Sequence, residues 1–171
     1  MTIEIRAARE DEAGAVARVH VEADRQTYKP LFGAAFRAVP LAESEARWRE
    51  ALARGDAIVV ALEGERIAGF GCLSGDWLSA LYLLAPYRRR GLGARLLALL
   101  CVPLAERGFA EVRFTAVAAN ADAIAFYEAL GAEVVGEVTE GEGEEDWRDL
   151  VFRLPTDGPA AFLAARGRCI E

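Results

Sequence analysis

Apolar and polar residues alternate at the start of the chain, where Ile3, Ile5 and Ala7 predict a strand over 2–7. The period then changes. Behind the charged run Arg9-Glu10-Asp11-Glu12, the residues Ala13, Val16, Ala17, Val19, His20 and Ala23 recur at helical spacing. The acidic residues suit the positive end of a helix dipole. Pro30 and Gly33 break this pattern. A second helix is predicted over 41–53, with Ala46, Trp48, Ala51 and Leu52 as its apolar stripe and Gly55 to end it. Strands are predicted over 57–62, 67–73 and 77–84, separated by the turns Glu63-Gly64-Glu65-Arg66 and Ser74-Gly75-Asp76. The third is almost wholly apolar, as a central strand should be.

A helix through Leu96, Leu97, Leu99, Leu100 and Leu104 follows, with Pro103 expected to kink it and Gly108 to end it. A strand over 110–117, a helix over 120–130 and strands over 132–139 and 146–154 complete the pattern. The order is β-α-α-β-β-β-α-β-α-β-β. Hairpins in the first half and crossover helices in the second predict an α/β (α+β) fold: a mixed central sheet with helices on both faces. Residues 1–155 form the expected domain. Residues 156–171 form a C-terminal tail, either loose or strapped against a partner.

The 171 residues suit one domain, and 53% apolar content can fill its core. A net charge of −7 argues against nucleic acid as the main partner. Three irregularly spaced cysteines, Cys72, Cys101 and Cys169, make no disulfide framework. With His20 as the single histidine, they offer little for a metal site. The polar start and the lack of a long apolar run point to a cytoplasmic protein without a membrane partner.

The segment Arg88-Arg89-Arg90-Gly91-Leu92-Gly93-Ala94 joins a strand to a helix. Glycines let the backbone approach a ligand closely, and the first helical turn carries unpaired N–H donors and partial positive charge. That combination suits a pyrophosphate, and three arginines add attraction. A strand-to-helix turn with solvated arginines has the same sequence. The segment is neither a P-loop nor the dinucleotide fingerprint, because Leu96 stands where a third glycine should be. The second segment runs from Asn120 to Gly131. Asn120 suits a helix N-cap, and Phe126 and Leu130 face the core four residues apart. Tyr127 beside them reads equally as a half-buried packing residue.

Taken together, these segments resemble two motifs of the GNAT acetyltransferases. Arg88, Gly91 and Gly93 fill the family's acetyl-CoA motif [QR]-x-x-G-x-[GA]. Asn120, Ala123, Phe126, Tyr127 and Gly131 fill N-x-x-A-x-x-F-Y-x-x-x-G. The resemblance covers about residues 3–154. It implies a splayed sheet in which Leu81, Tyr82 and Leu83 pair their backbone with the pantetheine arm of acetyl-CoA. It implies that Arg88, Arg89, Arg90, Gly91, Leu92, Gly93 and Ala94 hold the pyrophosphate, that Asn120 hydrogen-bonds the pantetheine or stabilises the splay, and that Phe126 lines the cofactor channel or the core. It makes Tyr127 the acid that protonates the leaving thiolate, with a backbone N–H near Leu83 as the oxyanion donor. No metal is implied.

The sequence departs from the family where many members carry a glutamate early in the central strand: Trp77 stands there, with Asp76 beside it. Asp76 is a candidate base, though it suits turn capping as well. Glu22, Asp24 and Tyr28 are further candidates. Ala132 stands where many members have phenylalanine, and Pro86 is one place later than usual. The run Glu140-Gly141-Glu142-Gly143-Glu144-Glu145-Asp146 would favour a cationic amine near the acceptor cleft, or is a solvated charge run. The expected function is acetyl transfer to a primary amine of a small molecule or peptide, with a homodimer possible. A catalytically silent acetyl-CoA sensor or partner subunit stays open, and so does a phosphate-binding domain of another α/β family.

Overall fold

The computed structural model describes residues 2–139 and 148–169. Its strands are β1 (Ile3–Ala7), β2 (Ala57–Glu63), β3 (Arg66–Ser74), β4 (Trp77–Leu83), β5 (Glu111–Val117), β6 (Glu133–Thr139) and β7 (Arg148–Pro155). Its helices are α1 (Ala13–Phe32), α2 (Leu41–Arg54), α3 (Leu92–Glu106), α4 (Ala121–Ala129) and α5 (Gly158–Ala164). The strands form one sheet in the order β1-β2-β3-β4-β5-β7-β6. The predicted mixed sheet is present: β4 and β5 are parallel, and the neighbouring pairs on either side are antiparallel. Helix α3 is the crossover that a parallel pair requires.

Helices cover both faces, as expected. Phe70 of β3 sits edge-on to Trp48 of α2, with ring centroids 4.9 Å apart. A Cβ on the next residue, Gly71, would point the other way and meet Leu100 of α3 at 2.9 Å. Successive strand residues face opposite sides, so α2 and α3 cover opposite faces. One core gathers Val16, Ala17, Trp48, Val60 and Phe70 under α1 and α2. The other gathers Leu97, Cys101, Phe114, Phe152 and Leu163 under α3 and α5.

Local signals explain the element ends. Arg9 and Glu12 start the first helical segment, where Glu12 accepts from the Arg9 N–H at 2.7 Å. A short 3-10 turn, Glu10–Glu12, precedes α1. Pro30 falls in the last turn of α1, two residues before its end at Phe32, and does not interrupt it. Pro103 likewise lies within the last turn of α3. Gly55 closes α2 with φ +81°.

The tail differs from the expectation. Residues 158–164 form α5, which packs on the chain's own α3 core through the fully buried Leu163. Pro159 in the first turn of α5 marks the helix start. The acidic run of 140–147 lies outside the described residues.

Candidate active site

Strands β4 and β5 touch only where they begin. Their register holds one pair, Trp77↔Arg113, and the Arg113 N–H donates to the Asp76 carbonyl at 3.0 Å. Beyond that point the strands part, and the predicted splay is seen. The cause is local. Cys72 pairs with Ala80 and Leu73 with Leu78, so Ser79 is an extra residue in β4, bulged out of the ladder with β3. A bulge bends its strand and increases its twist, which turns β4 away from β5.

The gap is a cleft of about 690 Å³. Leu78 to Leu83 form one wall, and Phe114, Thr115 and Ala116 form the other. The polarity of the β4 wall follows from the register. The Leu84 N–H bonds the Ala68 carbonyl at 2.9 Å, so the Gly69–Leu83 pair is of the non-hydrogen-bonded kind. Two residues away, so is Gly71–Leu81. The N–H and C=O groups of Leu81 and Leu83 therefore point towards the gap. One of them is already used: Arg88 Nε donates to the Leu83 carbonyl at 2.9 Å.

The glycine loop closes one end of the cleft. Gly91 is the N-cap of α3 with φ 83° and ψ 0°, and Arg89 has φ 62°. Arg89 is the one non-glycine with positive φ among the described residues. Two left-handed residues so close together turn successive N–H groups to one side, a concave anion site. Helix bonding starts only at Arg95, whose N–H reaches the Gly91 carbonyl at 3.2 Å. Among the described residues, no backbone carbonyl takes the N–H groups of Gly91, Leu92, Gly93 or Ala94.

The arginines of the loop have separate fates. Arg88 is half-buried and tied to α1: its Nη2 donates to Thr27 Oγ1 at 2.9 Å and to the Ala23 carbonyl at 3.4 Å. Burial lowers its pKa. It lines the cleft but acts mainly as a brace between the loop and α1. Arg89 lines the cleft with its side chain exposed, whereas Arg90 is exposed away from the cleft lining. The Leu92 side chain is buried in the α1–α2 core.

Helix α4 supplies the floor. Asn120 caps it, its Oδ1 accepting from the Ala123 N–H at 3.2 Å. The Asn120 side chain also hydrogen-bonds Tyr28 of α1, so it links the two helices at the cleft. Phe126 faces Gly93. Tyr127 lines the cleft and is packed among Phe114, Phe126 and Phe152 at centroid distances of 4.3, 5.1 and 6.1 Å. Burial raises its phenol far above the usual range, so it stays protonated through neutral pH. Burial acts in the same direction on Tyr82 and Tyr28.

The carboxylates separate by place. Asp76 is exposed in the β3–β4 turn, at the closed end of the β4–β5 pair, and is not part of the cleft lining. The fold does not bring it to Tyr127, because the strands diverge away from that turn. Asp24 lies one helical turn before the cleft-lining Tyr28, and burial raises its carboxyl to about 6. Glu22 is bound to Arg25 at 2.7 Å on the outer side of α1. The cleft also holds residues that motif reading missed: Thr27, Asp122, Phe162, Arg166 and Arg168. An Arg-x-Arg pair behind the apolar Phe162-Leu163 step was the one signal for the last two.

Among the described residues, no three His, Cys, Asp or Glu side chains are grouped to hold a metal. No helix among them is long and apolar enough to cross a membrane.

This architecture recurs in solved structures. The N-acetyltransferase PaiA of Thermoplasma acidophilum, in complex with coenzyme A, superposes with a TM-score of 0.74 at 19% identity, over 91% of this chain and 99% of that one. YncA of Salmonella typhimurium, with its cofactor acetyl-CoA, gives 0.69 at 21% identity, over 92% and 95%. A ribosomal-protein-alanine N-acetyltransferase of Brucella melitensis gives 0.67 at 23% identity, over 88% and 97%. The family model described as the acetyltransferase (GNAT) family matches residues 8–132, from the end of β1 to the close of α4, and so spans both walls and the floor of the cleft. The chain belongs to the GNAT family and is an acetyl-CoA-dependent acyltransferase.

Proposed function

We propose that this enzyme transfers the acetyl group of acetyl-CoA to a primary amine of a small molecule or peptide, by direct attack in a ternary complex. One observation carries the reading: the glycine-loop N–H cradle and the protonated Tyr127 phenol face the same cleft, opened by the parting of β4 and β5. Acetyl-CoA supplies the thioester that the amine attacks. The free N–H groups from Gly91 to Ala94 receive its pyrophosphate. The gap-facing N–H of Leu81 suits the amides of the pantetheine arm, and that of Leu83 suits the carbonyl oxygen that gains charge.

Tyr127 hands its proton to the departing sulfur. A phenol whose pKa is raised by burial is always loaded at neutral pH, and a thiolate within reach takes the proton. The amine must lose a proton to attack. Asp24, with its carboxyl near 6, suits that role better than the exposed Asp76 and would favour a cationic amine. No observation favours the silent-sensor reading.

The test is calorimetry with acetyl-CoA on the wild type and on a Gly91→Glu, Gly93→Glu double variant, followed by thiol release against a panel of amines. Binding by the wild type alone, with release lost in Tyr127→Phe, is expected. A wild type that binds no acetyl-CoA would sink the proposal.

A further inference from the structure

The tail does more than cover α3. It carries two arginines to the glycine loop. Leu163 is fully buried and Gly158 sits against the Leu130 carbonyl, so α5 is fixed at both ends. After the helix, Gly167 adopts φ 62° and the Arg168 N–H bonds the Leu163 carbonyl at 3.0 Å. This hook turns the chain back over the loop. A Cβ on Gly91 would collide with Arg168 Nη1 and stand 3.3 Å from its Cζ. The guanidinium thus lies directly above the N-cap of α3, beside the vacant N–H donors. Arg166 is held nearby: its guanidinium stacks on Phe162 with Cζ 3.7 Å from the ring centroid. Both arginines line the cleft with Arg88, Arg89 and Gly91.

Among the described residues, no carboxylate pairs with Arg166 or Arg168. In a chain of net charge −7, four arginines against one carboxylate, Asp122, line this cleft and form a local positive field against the general trend. One of them, Arg168, lies on a backbone anion cradle whose N–H groups have no backbone partner among the described residues, and Arg166 lines the same cleft. Stacking on Phe162 pre-orients one guanidinium and the Gly167 hook pre-orients the other, so less side-chain entropy is lost when an anion arrives.

We infer that Arg166 and Arg168 are the second half of the phosphate site: a C-terminal clamp on the phosphate end of coenzyme A, facing the glycine loop across the cleft. The inference rests on the acetyl-CoA reading of the cleft. It assigns to residues 158–169 a direct binding role. The clamp predicts that the two arginines act on affinity through the phosphates and not through the pantetheine arm, because Arg168 lies against Gly91 at the glycine loop.

The experiment is calorimetry of the full chain with coenzyme A and, separately, with pantetheine, which lacks the phosphates. The proteins are the wild type, Arg166→Ala, Arg168→Ala, the double variant and Arg168→Lys. Arg168→Ala should raise the Kd for coenzyme A about 10-fold, and the double variant further still. Pantetheine affinity should be unchanged throughout. Arg168→Lys should restore part of the loss, and the double variant should show a shallower salt dependence for coenzyme A. Both arginines are exposed, so folding should survive. Unchanged coenzyme A affinity in the double variant, with a wild type that binds, overturns the clamp alone. Equal losses for coenzyme A and pantetheine also overturn it, since the tail would then be only a prop. A wild type that binds no coenzyme A overturns the acetyl-CoA reading and the clamp together.

Discussion

A Cβ on Gly93 would stand 3.0 Å from Phe126 Cζ, so the first turn of α3 meets the α4 ring with room for little more than a hydrogen. The contact joins the two motifs physically and shapes the narrow part of the cleft. Gly93→Ala asks Phe126 to yield by a few tenths of an ångström and should weaken acetyl-CoA binding only a few-fold. Gly93→Leu cannot be absorbed that way and should cost about 10-fold or more in Kd. Calorimetry checks both, with circular dichroism confirming the fold. Equal affinity in Gly93→Leu would show that the ligand does not pass this point.

Tyr127 separates catalysis from packing. Tyr127→Phe keeps the ring among Phe114, Phe126 and Phe152 and removes only the hydroxyl. The thermal midpoint should move by only a few degrees and the Kd for acetyl-CoA should hold, while kcat falls about 100-fold or more. Because burial raises this phenol, the loss should be the same at pH 6 and pH 8. A Tyr127→Phe enzyme with full kcat would assign proton delivery elsewhere.

His20 should titrate far below an ordinary histidine. It is buried, its Nδ1 lies 2.7 Å from Ser44 Oγ, and Trp48 Nε1 donates to the same nitrogen at 3.2 Å. That nitrogen therefore accepts, the proton sits on Nε2, and the ring is neutral. Burial first, and Arg47 second, lower the pKa to about 4. The sign follows: the unfolded chain binds a proton near 6.5 while the folded one resists until about 4, so this residue costs stability as pH falls through that window. Asp24, raised to about 6, works in the opposite direction between its ordinary value and 6. As the single histidine, His20 can be followed by proton NMR without ambiguity. A midpoint near 6.5 would mean that the Trp48–His20–Ser44 cluster is open to water.

The Arg6–Glu12 pair predicts an acid-sensitive N-terminus. Glu12 accepts from Arg6 Nη1 and Nη2 at 2.9 and 2.7 Å, and also from the Arg9 N–H. The Arg6 hydrogen bond chiefly lowers its carboxyl from 4.5 to about 2. The stabilisation is present above 4.5 and is lost as pH falls towards 2. Glu12→Gln should cost on the order of 2 kcal/mol at pH 7. Urea unfolding of both proteins should show most of the gap gone by pH 2.5. A gap that persists there would assign the loss to packing instead of charge.

The local parts of the site were legible because local chemistry fixes them. Gly91 and Gly93 mark a turn that needs φ of 83° and a close approach, and Asn120 marks a helix cap. The hairpins and apolar stripes gave the element order, because periods of 2 and 3.6 can be read along a chain. The resemblance carried by those residues pointed to the family and to the splay. Arg88 illustrates the limit. Its residue type suits a phosphate, yet its guanidinium is taken by the Leu83 carbonyl, Thr27 and Ala23, partners far away along the chain.

The sequence by itself determined the order of elements, the glycine loop and the capping of α4. Each depends on a few neighbouring residues whose backbone and hydrogen-bonding needs are met locally. Only the tertiary structure decided that Asp76 stays outside the cleft, that Tyr28 lines it with Asp24 one helical turn away, and that Arg168 reaches Gly91. Those relations depend on a bulge at Ser79 that parts two strands, and on Leu163 anchoring a tail to α3. Packing between distant segments sets them, and no local pattern in the chain records where a distant segment will lie.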